Sequence, residues 1–412
     1  MSFTADLSAW VSRQRWFAGK SHDPRLRILD AQPAREAVRY LAMDDAGSRP
    51  TLYHVPLARP AAGTDAETVA SDASGPLIDA AQHPPFAIGL LADMGVDVER
   101  VRGSRVLTGE QSNTSIVFEE DDRPTIILKL FRTLHHGENP DVTVQRVLSD
   151  AGSPYVPRFF GNLDAQWPDI GRPGGTAHGT LGFAQEFLPG VRDGWSIALA
   201  AARADTDFTR AAGELGAAVA GVHGALRTHL ETMPANAESV GATEVAWRRR
   251  LSIAMSEVPA VAARADAIAS AYDDALARRW PRLQRIHGDL HLGQVLAVPE
   301  DGWRIIDFEG EPLRPMAERA IPDLATRDVA GMLRSFDYAG AVGGRDDAAH
   351  WAAACRAAFL DAYTRAQGAV ELDDVVLRAL VLDKAVYEAI YEARNRPDWL
   401  PVPLAGIDAA LA

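Results

Sequence analysis

The sequence predicts an α+β protein with a small N-terminal cap, a β-rich lobe and a larger helical lobe, in that order. Short runs of β-branched and aromatic residues dominate up to about residue 190. Long alanine-rich segments with helical periodicity dominate after residue 193. We therefore expect the cap at residues 1–90, the β-rich lobe at 91–190 and the helical lobe at 191–412.

The cap is expected to be a small unit of mixed structure. Residues 7–15 have the pattern of a short helix, and residues 25–29 and 51–57 are β-prone. Residues 61–75 are rich in Ala, Gly, Ser and Asp, which predicts a surface loop. This pattern is typical of an accessory unit rather than of a catalytic body.

The β-rich lobe is expected to contain a sheet, one helix and a hinge. We predict a hairpin with a polar turn at residues 105–118, a strand at 125–131, a helix at 140–150 and a strand leading to a hinge at 181–188. Asn139 and Pro140 are typical of a helix start. In the helical lobe we predict helices at residues 195–230, 244–277, 346–366 and 372–395.

The bulk composition is that of a soluble protein. The chain has 412 residues, of which 47% are apolar and 24% are charged. No apolar run reaches the length of about eighteen residues that a membrane helix needs. The first ten residues contain Asp6 and no basic residue, which argues against a signal peptide. The single cysteine, Cys355, excludes an internal disulfide and predicts a cytoplasmic location.

The charge of the chain narrows the class of partner. The net charge of −14 argues against a nucleic-acid partner, since such partners select basic surfaces. It is compatible with a small cationic substrate. All but three of the 42 basic residues are arginine, and the lysines are Lys20, Lys129 and Lys384. In so biased a chain, a lysine is consistent with a position that needs a compact ammonium on a flexible stem.

The most informative residues are two aspartates in the helical lobe. Asp289 lies in a loop between His287 and His291, and Asp307 ends a β-prone run at residues 303–306. Phosphoryl transfer needs one carboxylate that deprotonates an acceptor hydroxyl and a second that holds Mg²⁺ against the ATP phosphates. Asp289 and Asp307 fit these two functions.

Two further side chains are candidates for the metal. Gln294 offers an amide oxygen, and Mg²⁺ prefers oxygen ligands. Glu309 lies two residues after Asp307. The alternative interpretation is that His287 and His291 bind zinc or that Asp289 caps a turn. Zinc would require further Cys or His ligands nearby, and Cys355 is far along the chain.

These motifs carry a resemblance to a known family. The chain resembles the aminoglycoside-phosphotransferase-like kinases, whose signature is His-Gly-Asp-x-His-x-x-Asn followed by a metal-binding Asp; residues 287–294 here read HGDLHLGQ. Gln294 departs from the usual Asn, and its extra methylene alters the metal shell. The chain is most similar to the actinobacterial maltokinases and the related glucosamine kinases, through residues 15–20 (RWFAGK), 110–115 (EQSNTS) and 391–399 (YEARNRPDW). The resemblance implies a two-lobe protein-kinase-like fold with ATP, Mg²⁺ and a small sugar as ligands.

The nucleotide residues are expected in the β-rich lobe. Residues 110–115 are predicted to form a hairpin turn that binds phosphate, although an ordinary polar hairpin is the alternative. Lys129 is expected to bind the ATP phosphates and to pair with Asp141 or, second, Glu138, because a buried lysine needs a partner. The predicted ATP-binding residues are Ser112, Asn113, Thr114, Ser115, Lys129, Asp141 and the hinge residues Gln185, Glu186, Phe187 and Leu188.

The acceptor residues are expected mainly at the C-terminal helix. Helical spacing places Lys384, Glu388, Glu392 and Asn395 on one stripe. Aromatic faces beside carboxylates suit a polyol pocket, although a solvated ion-pair face is the alternative. The predicted substrate-binding residues are Asp289, His291, Glu311, Arg319, Tyr387, Glu388, Tyr391, Glu392, Asn395, Asp398 and Trp399.

Several acceptors remain open at this point. The resemblance admits glucosamine, giving a 6-phosphate, or maltose, giving a 1-phosphate. Glucosamine carries an ammonium, and the acids at Glu388, Glu392 and Asp398 could pair with it. We therefore place glucosamine ahead of maltose, and an aminoglycoside third. A nucleotide-binding pseudokinase is the non-enzyme alternative; it would lack Asp289, Asp307 or Lys129, and all three are present.

Overall fold

The computed structural model describes residues 2–19, 22–47, 50–61, 63, 65–107, 113–121, 125–311, 314–344 and 348–412. The contacts among them divide the chain into two compact units. Unit 1 comprises Met1–Arg146 and Pro157–Pro189. Unit 2 comprises Val147–Val156 and Gly190–Ala412. Within these ranges, unit 1 is rich in strands and unit 2 is mostly helical.

The elements of unit 1 are, in chain order, α1 (Phe3–Arg13), β1 (Leu26–Ala34), β2 (Ala37–Asp44), β3 (Thr51–Ala58), β4 (Ala70–Asp72), β5 (Gly75–Asp79), α2 (Pro84–Asp93), β6 (Val101–Val106), β7 (Asn113–Glu120), β8 (Ile126–Phe131), β9 (Thr133–Leu134), α3 (Pro140–Asp150), β10 (Phe159–Pro168) and β11 (Thr176–Glu186). Of these, α3 continues into unit 2. The described strands form two antiparallel sheets, one in the order β1-β2-β3-β5-β4 with β9 also paired to β3, and one in the order β10-β11-β8-β7-β6.

The first sheet of unit 1 owes its packing to the apolar face of α1. Leu7, Trp10 and Val11 recur at helical spacing, so they lie on one side of α1. They are buried in one cluster with Tyr53 and Val55 of β3. The second sheet forms a separate core in which the central strand β8 and helix α2 bury their apolar side chains together. The central position of β8 matters for the site, because β8 carries Lys129.

The elements of unit 2 are, in chain order, β12 (Arg192–Asp193), α4 (Gly194–Ala204), α5 (Thr209–His229), α6 (Ala237–Glu257), α7 (Pro259–Ala262), α8 (Ala265–Leu276), β13 (Val295–Val298), β14 (Gly302–Ile305), α9 (Met316–Arg319), α10 (Thr326–Gly343), α11 (Ala348–Arg365), α12 (Asp374–Asn395) and α13 (Pro401–Leu411). The short strands β12, β13 and β14 form an antiparallel sheet. Helix α12 begins where the Asp373 carboxylate accepts hydrogen bonds from the N–H groups of Val375 and Val376, at 2.9 and 3.1 Å. Helices α6, α8, α10 and α13 all pack against α12.

Several predicted elements differ from the structure. The helix predicted at residues 195–230 is interrupted after α4, where Asp205 adopts a left-handed conformation with φ of 55°. The helix predicted at 244–277 is interrupted at Pro259, which has no N–H to donate and starts α7. The predicted surface loop at 61–75 contains the short strand β4. The helix predicted at 140–150 coincides with α3.

The close packing of α5 on α11 gives a test of the fold. A Cβ atom added at Gly216 would lie 2.2 Å from the backbone oxygen of Phe359, whereas one at Gly213 would lie 3.6 Å from the Cβ atom of Ala362. Because a backbone oxygen cannot rotate away, Gly216→Ala should lower the free energy of unfolding by about 1–3 kcal/mol. Gly213→Ala, in the same helix, should raise it by about 0.4–1 kcal/mol. Thermal and urea unfolding of the two variants checks this packing, and equal stability would contradict it.

Candidate active site

One face of α10 holds the loop that carries Asp289. Asp328, Gly331 and Ser335 recur at helical spacing, so they share that face. The buried Asp328 carboxylate accepts hydrogen bonds from the N–H groups of His287 and Gly288, both at 2.8 Å. Ser335 Oγ accepts from the N–H of Leu292 at 3.0 Å. A Cβ atom at Gly331 would lie 2.5 Å from the carbonyl oxygen of Leu290, so the missing side chain is what lets the loop approach.

The two loop histidines use ring nitrogens to shape the loop. His287 Nε2 lies 3.0 Å from the carbonyl oxygen of Ile306 and must donate to it, so Nδ1 is the acceptor for the N–H of Asp289 at 3.3 Å. His291 Nδ1 accepts from the N–H of Gly293 at 3.0 Å. Both nitrogens of His287 are therefore engaged with the backbone, which contradicts the alternative that His287 is a zinc ligand.

Asp289 forms an ion pair with the third lysine of the chain. Lys384 Nζ on α12 lies 3.1 Å from Asp289 Oδ1. Burial is the largest single effect and would raise the pKa of Asp289. The charge and hydrogen bond of Lys384, together with the neighbouring histidines, outweigh it, and the pKa lies below its usual value. The carboxylate is therefore ionised at neutral pH, which is the form a proton acceptor needs.

A small cavity with alternating charges lies beside this ion pair. Its lining includes Asp289, Glu311, Asp383, Lys384, Arg250 and Tyr387. Arg250 from α6 is bonded to the buried carboxylate of Asp383 and lies 4.0 Å from Glu311. The guanidinium of Arg250 and the ammonium of Lys384 lie 5.7 and 5.4 Å from the ring centre of Tyr387. Cavities of this kind suit a small polar ligand with hydroxyl and amino groups.

The predicted metal residues of unit 2 converge after β14. Gln294 Nε2 donates to Asp307 Oδ2 at 2.9 Å, and the carboxylate oxygens of Asp307 and Glu309 lie within 4.8 Å of each other. Asp307 adopts φ of 68°, which is uncommon for a residue with a side chain and is typical of functional turns. This set of close oxygen donors fits a hard divalent cation such as Mg²⁺. Arg319 lies beside it, with its guanidinium 3.4 Å from the carbonyl oxygen of Glu309.

In unit 1 the structure confirms the predicted pairing of Lys129 with Asp141. Lys129 Nζ on β8 lies 2.8 Å from Asp141 Oδ2 at the start of α3. Asp141 is nearly fully buried, and its own N–H is capped by the side-chain oxygen of Asn139 at 3.0 Å. A lysine held in this way on a central strand is the arrangement that kinases use for ATP phosphates.

The structure describes three of the four residues predicted to bind ATP in the phosphate-binding turn. Asn113, Thr114 and Ser115 belong to strand β7, so their prediction as turn residues is wrong. Thr114 Oγ1 accepts a hydrogen bond from buried Arg132 at 2.7 Å. Ser112 lies outside the described residues. Strand β11 ends at Glu186.

The backbone of the predicted hinge is partly engaged within unit 1. The N–H of Phe187 donates to the carbonyl oxygen of Thr125 at 2.8 Å, and the N–H of Glu186 donates to that of Arg158 at 2.8 Å. Neither N–H is thus available to adenine. Gln185 is paired with Ile127 of β8, and Leu188 lies two residues beyond the end of the strand. Nucleotide contacts at the hinge remain a prediction for the other backbone groups.

The structure corrects the acceptor stripe predicted on α12. Glu388 pairs with buried Arg334 at 2.8 Å, and Glu392 is buried against Arg396 at 2.7 Å and the Tyr338 hydroxyl at 3.1 Å. Because α12 is buried on almost every side, its acids already have partners inside the unit. Of the predicted acceptor residues other than Asp289, Glu311 and Tyr387 line the cavity. Its described lining does not include His291, Arg319, Glu388, Tyr391, Glu392, Asn395, Asp398 or Trp399.

The contacts of Asp328, Arg250 and Asp383 and the pairing of Lys384 with Asp289 are not evident from the sequence. The scarcity of lysine was the one signal that singled out Lys384. The i, i+3, i+7 spacing of Asp328, Gly331 and Ser335 was a second signal, since it places an acidic, a small and a hydroxyl residue on one face of α10.

Comparison with known proteins supports this arrangement. Residues 104–371 match the phosphotransferase enzyme family, and residues 10–82 match the maltokinase N-terminal cap domain. The chain is 30% identical to a glucosamine kinase of Streptacidiphilus jiangxiensis, over 85% of this chain and 84% of that protein. It is 29% identical to a glucosamine kinase of Mycolicibacterium smegmatis, over 76% and 81%. A glucosamine kinase solved with glucosamine, ADP and inorganic phosphate has the same fold, with a TM-score of 0.74 over 98% of this chain and 99% of that one at 24% identity.

The protein therefore belongs to the phosphotransferase enzyme family, and it has the kinase-like fold of that family. At its N-terminus it carries a cap of the maltokinase type. This confirms both the resemblance and the fold class drawn from the motifs. Among the described residues, no helix is long and apolar enough to span a membrane.

The hydrogen bonds from α10 to the Asp289 loop can be tested with two variants of α10. Asp328→Ala leaves two buried N–H groups without an acceptor, at a cost of about 1–3 kcal/mol each. We expect faster hydrogen–deuterium exchange at residues 286–290 and a lower free energy of unfolding. Asp337→Ala removes a carboxylate of α10 that pairs with Arg334 and Arg356, at 2.8 and 3.0 Å, and should leave loop exchange unchanged. Equal loop exchange in both variants would contradict the assignment.

Proposed function

We propose that this protein is an ATP-dependent glucosamine kinase that transfers the γ-phosphoryl group to the 6-hydroxyl of glucosamine. The observation that carries the proposal is the 30% identity to a glucosamine kinase over 85% of the chain. The site geometry is consistent with it, since an ionised carboxylate, Asp289, borders a cavity lined by further acids. We assign the cap to residues 1–90, the β-rich lobe to 91–190 and the helical lobe to 191–412. The buried Cys355 is in keeping with a reducing cytoplasm.

In this proposal Asp289 accepts the proton of the attacking hydroxyl. A base in direct contact with the hydroxyl typically contributes about 10²–10⁴-fold to the rate. The buried Asp328 holds the loop, so the carboxylate of Asp289 keeps its position without reorganisation during transfer. His287 supports the same loop, since its two ring nitrogens bond to the carbonyl oxygen of Ile306 and the N–H of Asp289.

The phosphate groups of ATP need cations on the enzyme. We assign Lys129 to the α- and β-phosphates, with Asp141 fixing its ammonium. Asn113, Thr114 and Ser115 on β7, with Ser112 before them, would bind phosphate chiefly through the backbone, because Thr114 and Ser115 have buried side chains. Asp307, Gln294 and Glu309 would hold Mg²⁺, which supplies charge neutralisation at the phosphates when bound. The Gln294 amide would then present its oxygen rather than its nitrogen.

We assign the ammonium of glucosamine to Glu311. Asp383 is buried and bonded to Arg250, and Glu388 and Glu392 are paired with arginines. Glu311 has looser cation partners, Arg314 at 3.4 Å and Arg250 at 4.0 Å, and it lines the same cavity as Asp289. An ammonium placed between Glu311 and Asp289 would contact two carboxylates, and Tyr387 would pack against the sugar ring.

A maltokinase is the second candidate function. The observation that favours it is the match of residues 10–82 to the maltokinase N-terminal cap domain. An assay of ADP release with glucosamine, maltose, glucose and kanamycin, with and without Mg²⁺, separates the candidates. Activity on glucosamine that requires Mg²⁺ supports the proposal, and activity on maltose without activity on glucosamine would promote the maltokinase.

Asp289→Asn tests the base. The change removes the proton acceptor and keeps the shape of the side chain, so kcat should fall by about 10²–10⁴-fold while ATP affinity is retained. Steady-state kinetics and ATP titration measure the two quantities separately. Asp398→Asn, an exposed acid outside the cavity lining, is the matched control and should retain wild-type kcat. A kcat above about a tenth of the wild-type value in Asp289→Asn would exclude Asp289 as the base.

Glu311→Gln tests the recognition of the ammonium. A charge-assisted contact is worth about 1.5–3 kcal/mol, so the wild-type enzyme should prefer glucosamine over glucose by about ten- to a hundred-fold in kcat/KM. Glu311→Gln should remove most of this preference, mainly by lowering kcat/KM for glucosamine. Asp398→Asn should leave it intact. If Glu311→Gln keeps the full preference, a different acid binds the ammonium.

A further inference from the structure

The ion pair of Lys384 with Asp289 forms part of the wall of the cavity beside the proposed base. The Lys384 ammonium lies 3.1 Å from Asp289 Oδ1 and 5.4 Å from the ring centre of Tyr387. Burial is the largest single effect and would lower the pKa of Lys384, but Asp289, Glu388 and Glu311 together outweigh it and the pKa lies above its usual value. Lys384 therefore places a positive charge beside Asp289, the residue that must receive a proton from the acceptor.

The cavity is too small for a sugar while this pair is intact. It leaves about 30 Å³ for the centres of water-sized molecules. A single water needs about 10–15 Å³ by this measure, so the cavity has room for about two waters and not for a hexose. A lining side chain must therefore move before a hexose can enter this cavity beside Asp289.

Lys384 is the lining residue best able to move. Arg250 is held by Asp383 and stacks on Tyr387, and Asp383 is buried. Lys384 has a flexible four-carbon stem. Two other acids act on its ammonium, Glu388 one turn further along α12 and Glu311 across the cavity. Its charge is thus attracted by an acid at each side when it leaves Asp289, and Glu388 would then be shared between Lys384 and Arg334.

We propose that Lys384 is a gate on the base, paired with Asp289 in the resting enzyme and displaced toward Glu388 when the acceptor binds. The gate rests on the proposed kinase function. Such a gate would suppress the hydrolysis of ATP in the absence of an acceptor. Without an acceptor, the oxygen of a water would bond to the γ-phosphorus as the bond to the ADP oxygen breaks, and Asp289 would take the proton. The Lys384 ammonium holds one oxygen of Asp289, so that oxygen is less able to take a proton from such a water.

The test measures ATP hydrolysis and phosphoryl transfer separately in Lys384→Met. Met removes the ammonium and keeps a long apolar stem. We expect acceptor-independent ATP hydrolysis to rise about tenfold, the value of one charge-assisted contact, and the KM for glucosamine to fall. Lys384→Arg keeps the charge and should hold hydrolysis near the wild-type rate. Arg394→Met, which removes an exposed cation of α12 paired with Glu257 at 2.5 Å, is the control and should match the wild type in both measurements.

The outcomes distinguish the gate from a purely positioning function. If Lys384 only orients Asp289, Lys384→Met lowers kcat with hydrolysis and KM unchanged, and the gate is overturned while the kinase function stands. Should Lys384→Met fail to fold, Glu388→Gln provides the second test. Loss of the receiving acid should raise the KM for glucosamine about fivefold or more without raising hydrolysis, and an unchanged KM would overturn the gate. If the wild type does not phosphorylate glucosamine at all, the proposed function fails, and the hydrolysis comparison still reports on Lys384.

Discussion

The active-site half of this protein depends on one buried carboxylate, Asp328. A buried charge is tolerated only where donors compensate for the lost water. Asp328 has two loop N–H groups at 2.8 Å and the Nε2 atom of His223 at 3.1 Å. The Nδ1 atom of His223 lies in turn 2.9 Å from the hydroxyl of Tyr363. Through this chain of hydrogen bonds, helices α5, α10 and α11 all contribute to the position of one loop.

Electrostatic balance is the second constraint on unit 2. The described lining of the cavity beside Asp289 contains three acids and three cations, and most of them are paired with each other. Pairing keeps Asp289 ionised and Lys384 charged although both are largely buried. It also means that a charged acceptor must enter by exchanging partners within the cavity. Selectivity for an amino sugar would then depend on which carboxylate can exchange its present cation for the sugar ammonium at the lowest free-energy cost.

Local chemistry made part of this structure predictable. Helix α3 was predicted to its ends because Asn139 and Pro140 mark its start, and the Asn139 side chain does cap it. The pairing of Lys129 with Asp141 was predictable because only twelve residues separate them and a buried lysine needs an acid. The loop at residues 287–294 was recognisable because a His-Gly-Asp-x-His pattern is rarely found outside kinase catalytic loops.

Long-range pairing was not predictable by the same means. Lys384 and Asp289 are 95 residues apart, and nothing in either local pattern specifies the other. The acceptor stripe on α12 failed for a related reason. Glu388 and Glu392 looked accessible by helical spacing, but α12 is buried by neighbours on almost every side, so those acids were already matched by Arg334 and Arg396. A helix packed all round does not reveal from its own sequence which face meets a ligand.

The left-handed backbone of Asp307 has a consequence for stability. Its φ of 68° lies in the region that glycine adopts without strain, and a side chain there costs about 1–2 kcal/mol of conformational strain. Replacement by glycine would relieve this strain, but it would also remove the hydrogen bond from Gln294 and a proposed metal ligand. Backbone strain at this residue is thus the cost of placing a carboxylate in the turn after β14.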